Sequence, residues 1–341
     1  MEQIIIGKND DGRRVDNIAA RYLPGAGKAF IYKMLRKKNI VLNDKRAEGN
    51  ERVAEGDVLK FYLAQETLAK FKEPPGTAGA LPDNGGNKDL TFDFSKAVVY
   101  EDEDVIIINK PAGMLSQKAL PTDVSVNEYL IEYCLETGRY TKEELETFKP
   151  AVCNRLDRNT SGLVCAGVSI KGLRELSRLI RERKLEKYYI CVVSGRIVKE
   201  TRLVSYLKKD AKTNKVEVRS EPFSGADRVE LEFRPFAAKE PSKGAHDVFL
   251  AAFPESEAVT GTGANKETTR LEVRLITGKS HQIRAQLSAI GHPIIGDPKY
   301  GDGKGRFQLL CAYRLVFPKD TELERLAGRE IRITDKNRTA V

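Results

Sequence analysis

Ala151-Val152-Cys153-Asn154-Arg155-Leu156-Asp157-Arg158-Asn159-Thr160-Ser161-Gly162-Leu163-Val164-Cys165-Ala166 sets one carboxylate between two arginines in a turn-forming run, with apolar residues on both sides. Ala151–Cys153 leads in and Leu163–Ala166 leads out, and both are compatible with buried strand. An acid flanked by Arg155 and Arg158 is expected to stay ionised, because nearby cations favour its charged form. That suits a nucleophile or an electrostatic stabiliser, not a proton donor. Taken alone, the stretch is read more economically as a salt-bridged loop aspartate, since structural ion pairs perturb carboxylates too.

Working outward, the composition bounds what surrounds this run. A chain of 341 residues, 40% apolar, has room for two or three domains with real cores. Its formal charge of +9 points to nucleic acid or another anionic partner if the excess is clustered. Five cysteines, at 134, 153, 165, 191 and 311, show no CxxC spacing and mostly sit in apolar runs. They read as buried thiols of a reducing compartment. His246, His281 and His292 fall in no metal-ligand pattern, so a metal centre is not expected. The N-terminus lacks the basic start and apolar core of a signal peptide, and no apolar run approaches a membrane span. A soluble, cytoplasmic monomer with no membrane contact is the expectation.

Residues 1–64 read as one small unit. Val15, Ile18, Ala19 and Tyr22 recur at helical spacing, and a second helix is expected near Lys28–Lys37 with Ile31, Met34 and Leu35 inward. Short strands follow at Ile40–Leu42 and Val58–Leu63. From Lys28 to Asn43 the chain holds Lys28, Lys33, Arg36, Lys37 and Lys38 and no acid. Such a cationic face suits contact with phosphates, and a solvated surface helix accounts for it equally well. Residues 65–95, rich in Pro, Gly and Asn, read as a flexible linker. From 96 to 338 strand patterns dominate: Val98–Tyr100, Val105–Ile108, Lys187–Gly195, Val229–Phe233, Leu271–Leu275, then pieces at Leu309–Ala312 and Leu315–Phe317. Helices are expected at Val126–Leu135, Lys142–Phe148, Ile170–Lys184, and from Thr277–Arg284 through Ile290. Residues 237–267 look like an inserted loop or hairpin around a strand at Val248–Phe253. Short turns join neighbouring strands, which favours an α+β fold with a mixed, largely antiparallel sheet over a doubly wound parallel one.

Three runs place polar groups where a strand meets a turn: Arg155-Leu156-Asp157, Lys187-Tyr188-Tyr189 and Gly278-Lys279-Ser280-His281-Gln282-Ile283-Arg284. Sites are commonly built at such junctions. Gly278-Lys279 is not a phosphate loop, because no glycine stands at 273. A Ser280-His281-Asp157 triad lacks a nucleophile elbow, and adjacent residues at a helix start point apart.

Together these runs resemble the pseudouridine synthases of the Rlu type, in the RluA branch. The branch's first motif appears as YEDEDVIIINKPAGM (100–114), and its signature as Asn154 to Gly162. Its K-x-Y strand appears as Lys187 to Gly195, and its T-G-K-x-H-Q-I-R run as Thr277 to Arg284, followed by IGHPIIGDPKYG (290–301). In the same way GRRVDNIAARYLPG (12–25), KAFIYKMLRKKNIVLND (28–44) and EGDVLKFYL (55–63) resemble the small α/β RNA-binding domain of ribosomal protein S-four. The resemblance implies the pseudouridine synthase fold at 96–338 behind an RNA-binding domain at 1–64. It implies conversion of a uridine in RNA to pseudouridine without cofactor or metal, with ribosomal RNA of the large subunit the first expected target and transfer RNA the second. By the match Asp157 is the essential aspartate, whether it attacks C1′, attacks C6 or removes the 2′ proton. Arg284 is the arginine paired with it, Tyr189 the ring stacked on uracil, and Arg155 the residue that fills the gap left by an extruded uridine. Lys33, Arg36, Lys37 and Lys38 are the matching RNA contacts of the front domain.

One departure stands out: Asn154 occupies a place where the branch usually has histidine, and is expected to orient the loop. The alternative function is a non-catalytic RNA-binding protein that keeps the fold. A carboxylate glycosidase would need a second acid placed with Asp157, and none is found in the sequence.

Overall fold

The helical spacing at the front of the chain is realised as two packed helices over a small sheet. In the computed structural model, which describes residues 1–72, 92–120, 122–210, 215–235, 253, 267–301, 303 and 307–333, two units can be separated. The first comprises Met1–Phe92, Ala119–Thr122 and Leu130–Pro150. Strand β1 (Glu2–Ile5) is followed by α1 (Val15–Tyr22), α2 (Lys28–Arg36), β2 (Ile40–Leu42), β3 (Lys45–Arg46), β4 (Val58–Phe61) and α3 (Gln65–Lys72). The strands form an antiparallel sheet in the order β1-β4-β2-β3. Val15, Ile18, Ala19 and Tyr22 of α1 meet Ile31, Met34 and Leu35 of α2 over Ile40, Leu59 and Phe61.

Helix α2 ends in a two-bond C-cap. Lys38 takes a left-handed conformation with φ +57°. Its N–H donates to the Leu35 carbonyl at 3.0 Å, and the Asn39 N–H to that of Met34 at 2.9 Å. That turn leaves Lys33, Arg36, Lys37 and Lys38 exposed.

Two features differ from the division expected from the sequence. Residues 65–72, expected as linker, are helical, and Leu68 is 1% exposed in the core of this unit. Leu68, with Phe71 packed on Phe30 at 4.5 Å between ring centroids, anchors a stretch whose average composition is polar. Residues 73–91 of that expected linker lie outside the described residues. Residues 130–150, expected in the second domain, join the first unit. Asn9 donates to the Tyr140 hydroxyl at 2.8 Å, and Arg21 to the Thr147 carbonyl at 2.7 Å.

The second unit comprises Asp93–Lys118, Asp123–Tyr129 and Ala151–Val341. After residue 92 the chain runs α4 (Phe94–Ala97), β5 (Val98–Glu101), β6 (Val105–Lys110), α5 (Val126–Glu136), α6 (Glu144–Thr147), β7 (Ala151–Val152) and β8 (Ser161–Gly167). It continues with α7 (Ile170–Arg181), β9 (Glu186–Ser194), β10 (Thr201–Lys209), β11 (Val216–Arg219) and β12 (Asp227–Pro235). Last come β13 (Thr268–Leu275), α8 (Gln282–Ala289), β14 (Leu310–Val316) and β15 (Glu330–Arg332). Among the described residues the sheet order is β11-β10-β12-β13-β9-β14-β8-β6-β5, with β15 beside β14 and β7 beside β8. The β14–β8 pair is parallel and the other described pairs are antiparallel. The fold is thus α+β with a mixed, largely antiparallel sheet.

One face of this sheet carries the main core. Val105, Ile107, Leu163, Cys165, Ile190, Val192 and Cys311 pack with Leu176 and Leu179 of α7 and with Phe317, Leu323 and Leu326. Glu175 of α7, 1% exposed, accepts from Arg178 at 2.7 Å, from the Thr321 hydroxyl at 2.8 Å and from the Glu322 N–H at 3.1 Å, which ties the helix to the C-terminal segment. Helix α8 packs elsewhere, with Ala285 among Leu207, Val216 and Val229 of β10, β11 and β12. The two expected pieces at 309–317 are one strand with an irregularity between Ala312 and Arg314. Of the inserted segment at 237–267, all but Phe253 and Glu267 lies outside the described residues. That includes 248–252 of its expected strand, while Phe253 is buried.

Candidate active-site cleft

The loop that carries Asp157 is pinned from several sides. Asn154 accepts from the Cys165 N–H at 2.6 Å and donates to the Leu163 carbonyl at 3.3 Å, so it ties the loop to β8. Ser116 accepts from the Leu156 N–H at 3.0 Å and donates back to the Leu156 carbonyl at 3.2 Å. The Arg158 carbonyl accepts from the Gly113 N–H at 2.8 Å and from the Lys110 ammonium at 3.1 Å. Thr160 donates its N–H to the Asp157 carbonyl at 3.0 Å, and its hydroxyl accepts from Gln308 at 2.9 Å.

Gly162, next in line, has φ +118°, and a Cβ there would lie 2.3 Å from the Ala312 carbonyl oxygen. Only glycine lets β8 run this close to β14. Lys110 is fully buried and donates as well to the carbonyls of Pro111 at 2.8 Å and Met114 at 2.9 Å. Burial pushes its pKa down to about 7, and the Asp157 charge works the other way. Three carbonyl acceptors match the three N–H groups of the charged form.

Arg284 reaches Asp157 from α8. Its Nη1 donates to Asp157 Oδ2 at 2.8 Å. On its other edge Nε and Nη2 donate to the two oxygens of Asp297, at 2.7 and 2.8 Å. Asp297 is fully buried, and its Oδ1 accepts in addition from the N–H groups of Lys299 at 2.8 Å and Tyr300 at 3.0 Å. The fork of Asp297 therefore fixes the guanidinium plane, and the remaining nitrogen is aimed at Asp157. Burial opposes the charge of Arg284, but the hydrogen bonds it donates to Asp297 and Asp157 outweigh it and hold the pKa above its usual value. For Asp297 burial likewise opposes the charged form, and the Arg284 contact overcomes it, so its pKa is lowered.

The start of α8 is itself held. Gln282 accepts from the Thr277 hydroxyl at 2.9 Å and the Lys279 N–H at 3.1 Å, and donates to the Glu230 carbonyl at 3.1 Å. His281 takes a left-handed φ of +56°, with Nδ1 2.9 Å from the Tyr300 hydroxyl. Burial lowers its pKa, against the nearby charge of Asp157. Tyr189, 6% exposed, lies opposite Val273 and Ala312 in the sheet. Burial first, and then the Asp157 charge, push its phenol up, so it stays protonated.

Asp157, Arg155, Tyr189 and Arg284, expected from the sequence as site residues, all line one cleft of about 620 Å³, a size suited to a nucleotide. Arg155 is exposed and Asp157 partly so. Arg158 points to Asp123, at 3.9 Å. Lys33, Arg36, Lys37 and Lys38 belong to the first unit and are no part of this cleft. Sequence reasoning missed Asp297, His281 and Lys110. Asp297 stood inside the quoted run 290–301, where Gly296-Asp297-Pro298 reads only as a turn.

With this geometry in hand, the sequence model of the RNA pseudouridylate synthase family matches residues 104–289, more than half of the chain. The chain belongs to that family, whose enzymes isomerise uridine in RNA to pseudouridine. An uncharacterized RNA pseudouridine synthase of Mycoplasma genitalium is 27% identical over 93% of this chain and 89% of its own length. The ribosomal large subunit pseudouridine synthase C of Rickettsia bellii is 28% identical over 95% of this chain and 94% of its own. That of Vibrio vulnificus is 28% identical over 85% and 77%. Among solved structures, human RNA Pseudouridylate Synthase Domain Containing 4 is 16% identical over 71% of this chain and 89% of its own, with a TM-score of 0.49.

Proposed function

We propose that this enzyme isomerises specific uridines of structured RNA, with Asp157 as the essential carboxylate acting on a uridine extruded from its helix. The N1–C1′ bond breaks, the uracil turns, a C5–C1′ bond forms, the C5 proton leaves to solvent and N1 takes up a proton from solvent, so the product is an isomer of the substrate. The observation that carries the reading is the chain Asp297–Arg284–Asp157 at the wall of a nucleotide-sized cleft. One oxygen of Asp157 is held by Arg284, and the other accepts no hydrogen bond among the described residues. Attack on C1′, attack on C6 and removal of the 2′ proton each need an ionised, oriented carboxylate, and a fixed guanidinium serves all three. Tyr189, as a buried neutral phenol on the same wall, offers its ring to the uracil. Arg155, exposed at the rim, can enter the space that an extruded base leaves.

Large-subunit ribosomal RNA is the target class we favour, because the relatives in Rickettsia bellii and Vibrio vulnificus carry that substrate in their names; transfer RNA comes second. The exposed cations Lys33, Arg36, Lys37 and Lys38 are proposed as phosphate contacts of an S-four-like front domain. Tritium release from C5-labelled ribosomal RNA tests the reading. Wild type should release tritium and Asp157→Ala should not. Release that persists in the variant refutes the assignment of Asp157, and no release by wild type on ribosomal or transfer RNA favours the non-catalytic alternative.

A further inference from the structure

Among the lysines at or beside the cleft, Lys279 pairs with Asp227 at 2.7 Å, and Lys110 and Lys187 differ most in their surroundings. Lys110 has a carbonyl for each of its N–H groups. Lys187 is partly buried and lines the cleft, yet it makes no hydrogen bond or ion pair with any described residue. It precedes Tyr189 by two residues on β9, so both side chains leave the same face of the sheet. Its partner in register on β13 is Leu275, another residue of the cleft wall. Its ammonium would lie 3.4 Å from a Cβ on Gly278, so the missing side chain there leaves room around the charge.

The electrostatic neighbours supply no anion. Burial lowers the pKa of Lys187; the Cys165 thiol, itself kept protonated by burial, and the like charge of Arg183 are its other influences. A partly desolvated cation without a counter-charge is costly unless a ligand supplies one. Of the groups RNA brings to a cleft, a phosphodiester is anionic, whereas a uracil carbonyl is only polar.

We propose that Lys187 is a substrate-binding residue that receives a phosphodiester oxygen of the nucleotide held in the cleft. This rests on the reading of the cleft as the RNA site, and adds to it the group that anchors the backbone beside the reacting base.

The test uses the full chain and a short fluorescein-labelled oligouridylate, with binding measured across a potassium chloride series. Lys187→Met should weaken binding by about 10- to 100-fold at low salt, the range of a lost charge-assisted contact. It should also flatten the dependence of log affinity on log salt by about 0.7, one single-strand phosphate. Lys187→Arg should recover most of both. A probe with one neutral methylphosphonate linkage should lose affinity for wild type and little for Lys187→Met. Urea unfolding of the free protein should show Lys187→Met at least as stable as wild type, because it removes an unpaired charge.

A destabilised Lys187→Met reveals a protein partner and overturns the proposal. So does an unchanged salt slope with lost tritium release, which would place the ammonium on the base. Asp157→Ala separates the two readings: it should bind the oligouridylate at least as tightly as wild type, because a negative charge leaves the cleft, and it should still lose affinity when Lys187→Met is added. If it still releases tritium, the catalytic assignment falls while the Lys187 contact stands on its binding data. A wild type that does not bind the probe overturns the Lys187 contact, while the catalytic reading stands or falls on tritium release from ribosomal RNA.

Discussion

Replacing Asp297 with asparagine tests whether the second carboxylate on Arg284 matters only through that arginine. Asp297 is fully buried and Arg284 is 6% exposed, so water cannot replace what is lost. The amide keeps one acceptor but turns a donor toward the guanidinium, leaving at least one charge-assisted contact unmade. Breaking a buried pair from one side costs about 3–5 kcal/mol of stability. For catalysis the quantity at stake is the aim of Nη1 at Asp157. Losing one hydrogen bond between charged groups is worth about 1.5–3 kcal/mol, which is roughly a 10- to 150-fold fall in kcat at about 1.4 kcal/mol per decade. RNA affinity should hold or rise slightly, because one negative charge leaves a site that binds a polyanion. Single-turnover tritium release at saturating RNA gives the chemical rate, and filter binding gives the affinity. In an Arg284→Met background the same change should cost little further activity, since residues acting as a unit are not additive. Losses that multiply in the double variant, or a kcat left intact in Asp297→Asn, would refute the reasoning.

Gly162→Ala should destabilise the fold by about 3 kcal/mol or more, since its Cβ would meet the Ala312 carbonyl at 2.3 Å, and urea denaturation checks it. Lys38→Gly should stabilise the protein by about 1 kcal/mol, because Lys38 holds φ +57° where glycine costs nothing, while lowering the salt slope of RNA binding. Opposite signs in the two measurements are the expected signature. Glu175 has its pKa lowered to about 2, chiefly by the Arg178 hydrogen bonds, from an ordinary 4.5. A depressed folded pKa gives stability that is present above the unfolded value and lost as pH falls through the folded one. Glu175→Gln should therefore be less stable than wild type at neutral pH, by a margin on the order of 3 kcal/mol. That margin should shrink as pH drops from 4.5 toward 2, followed by urea midpoints across that range.

The sequence by itself determined the fold class and most of the elements. Apolar alternation located β9, β12 and β13, and helical spacing located α1, α2 and α7, because these patterns follow from which side chains a strand or helix must bury. It failed at β10, Thr201–Lys209, where charged and polar residues dilute the alternation. It also misjudged α3, where Leu68 and Phe71, packed on the core, outweigh a polar average. Order along the chain singled out Asp157, Tyr189 and Arg284, since each stands in its own run. What only the tertiary structure decided is the neighbourhood of each charge. Asp297 became visible when a turn folded back onto Arg284, and Arg158, which also lines the cleft, has Asp123 as its ion-pair partner at 3.9 Å. Lys110 and Lys187 look alike in sequence, but one finds three carbonyls and the other none. A side chain's partners are set by distances through space, and no local pattern carries them.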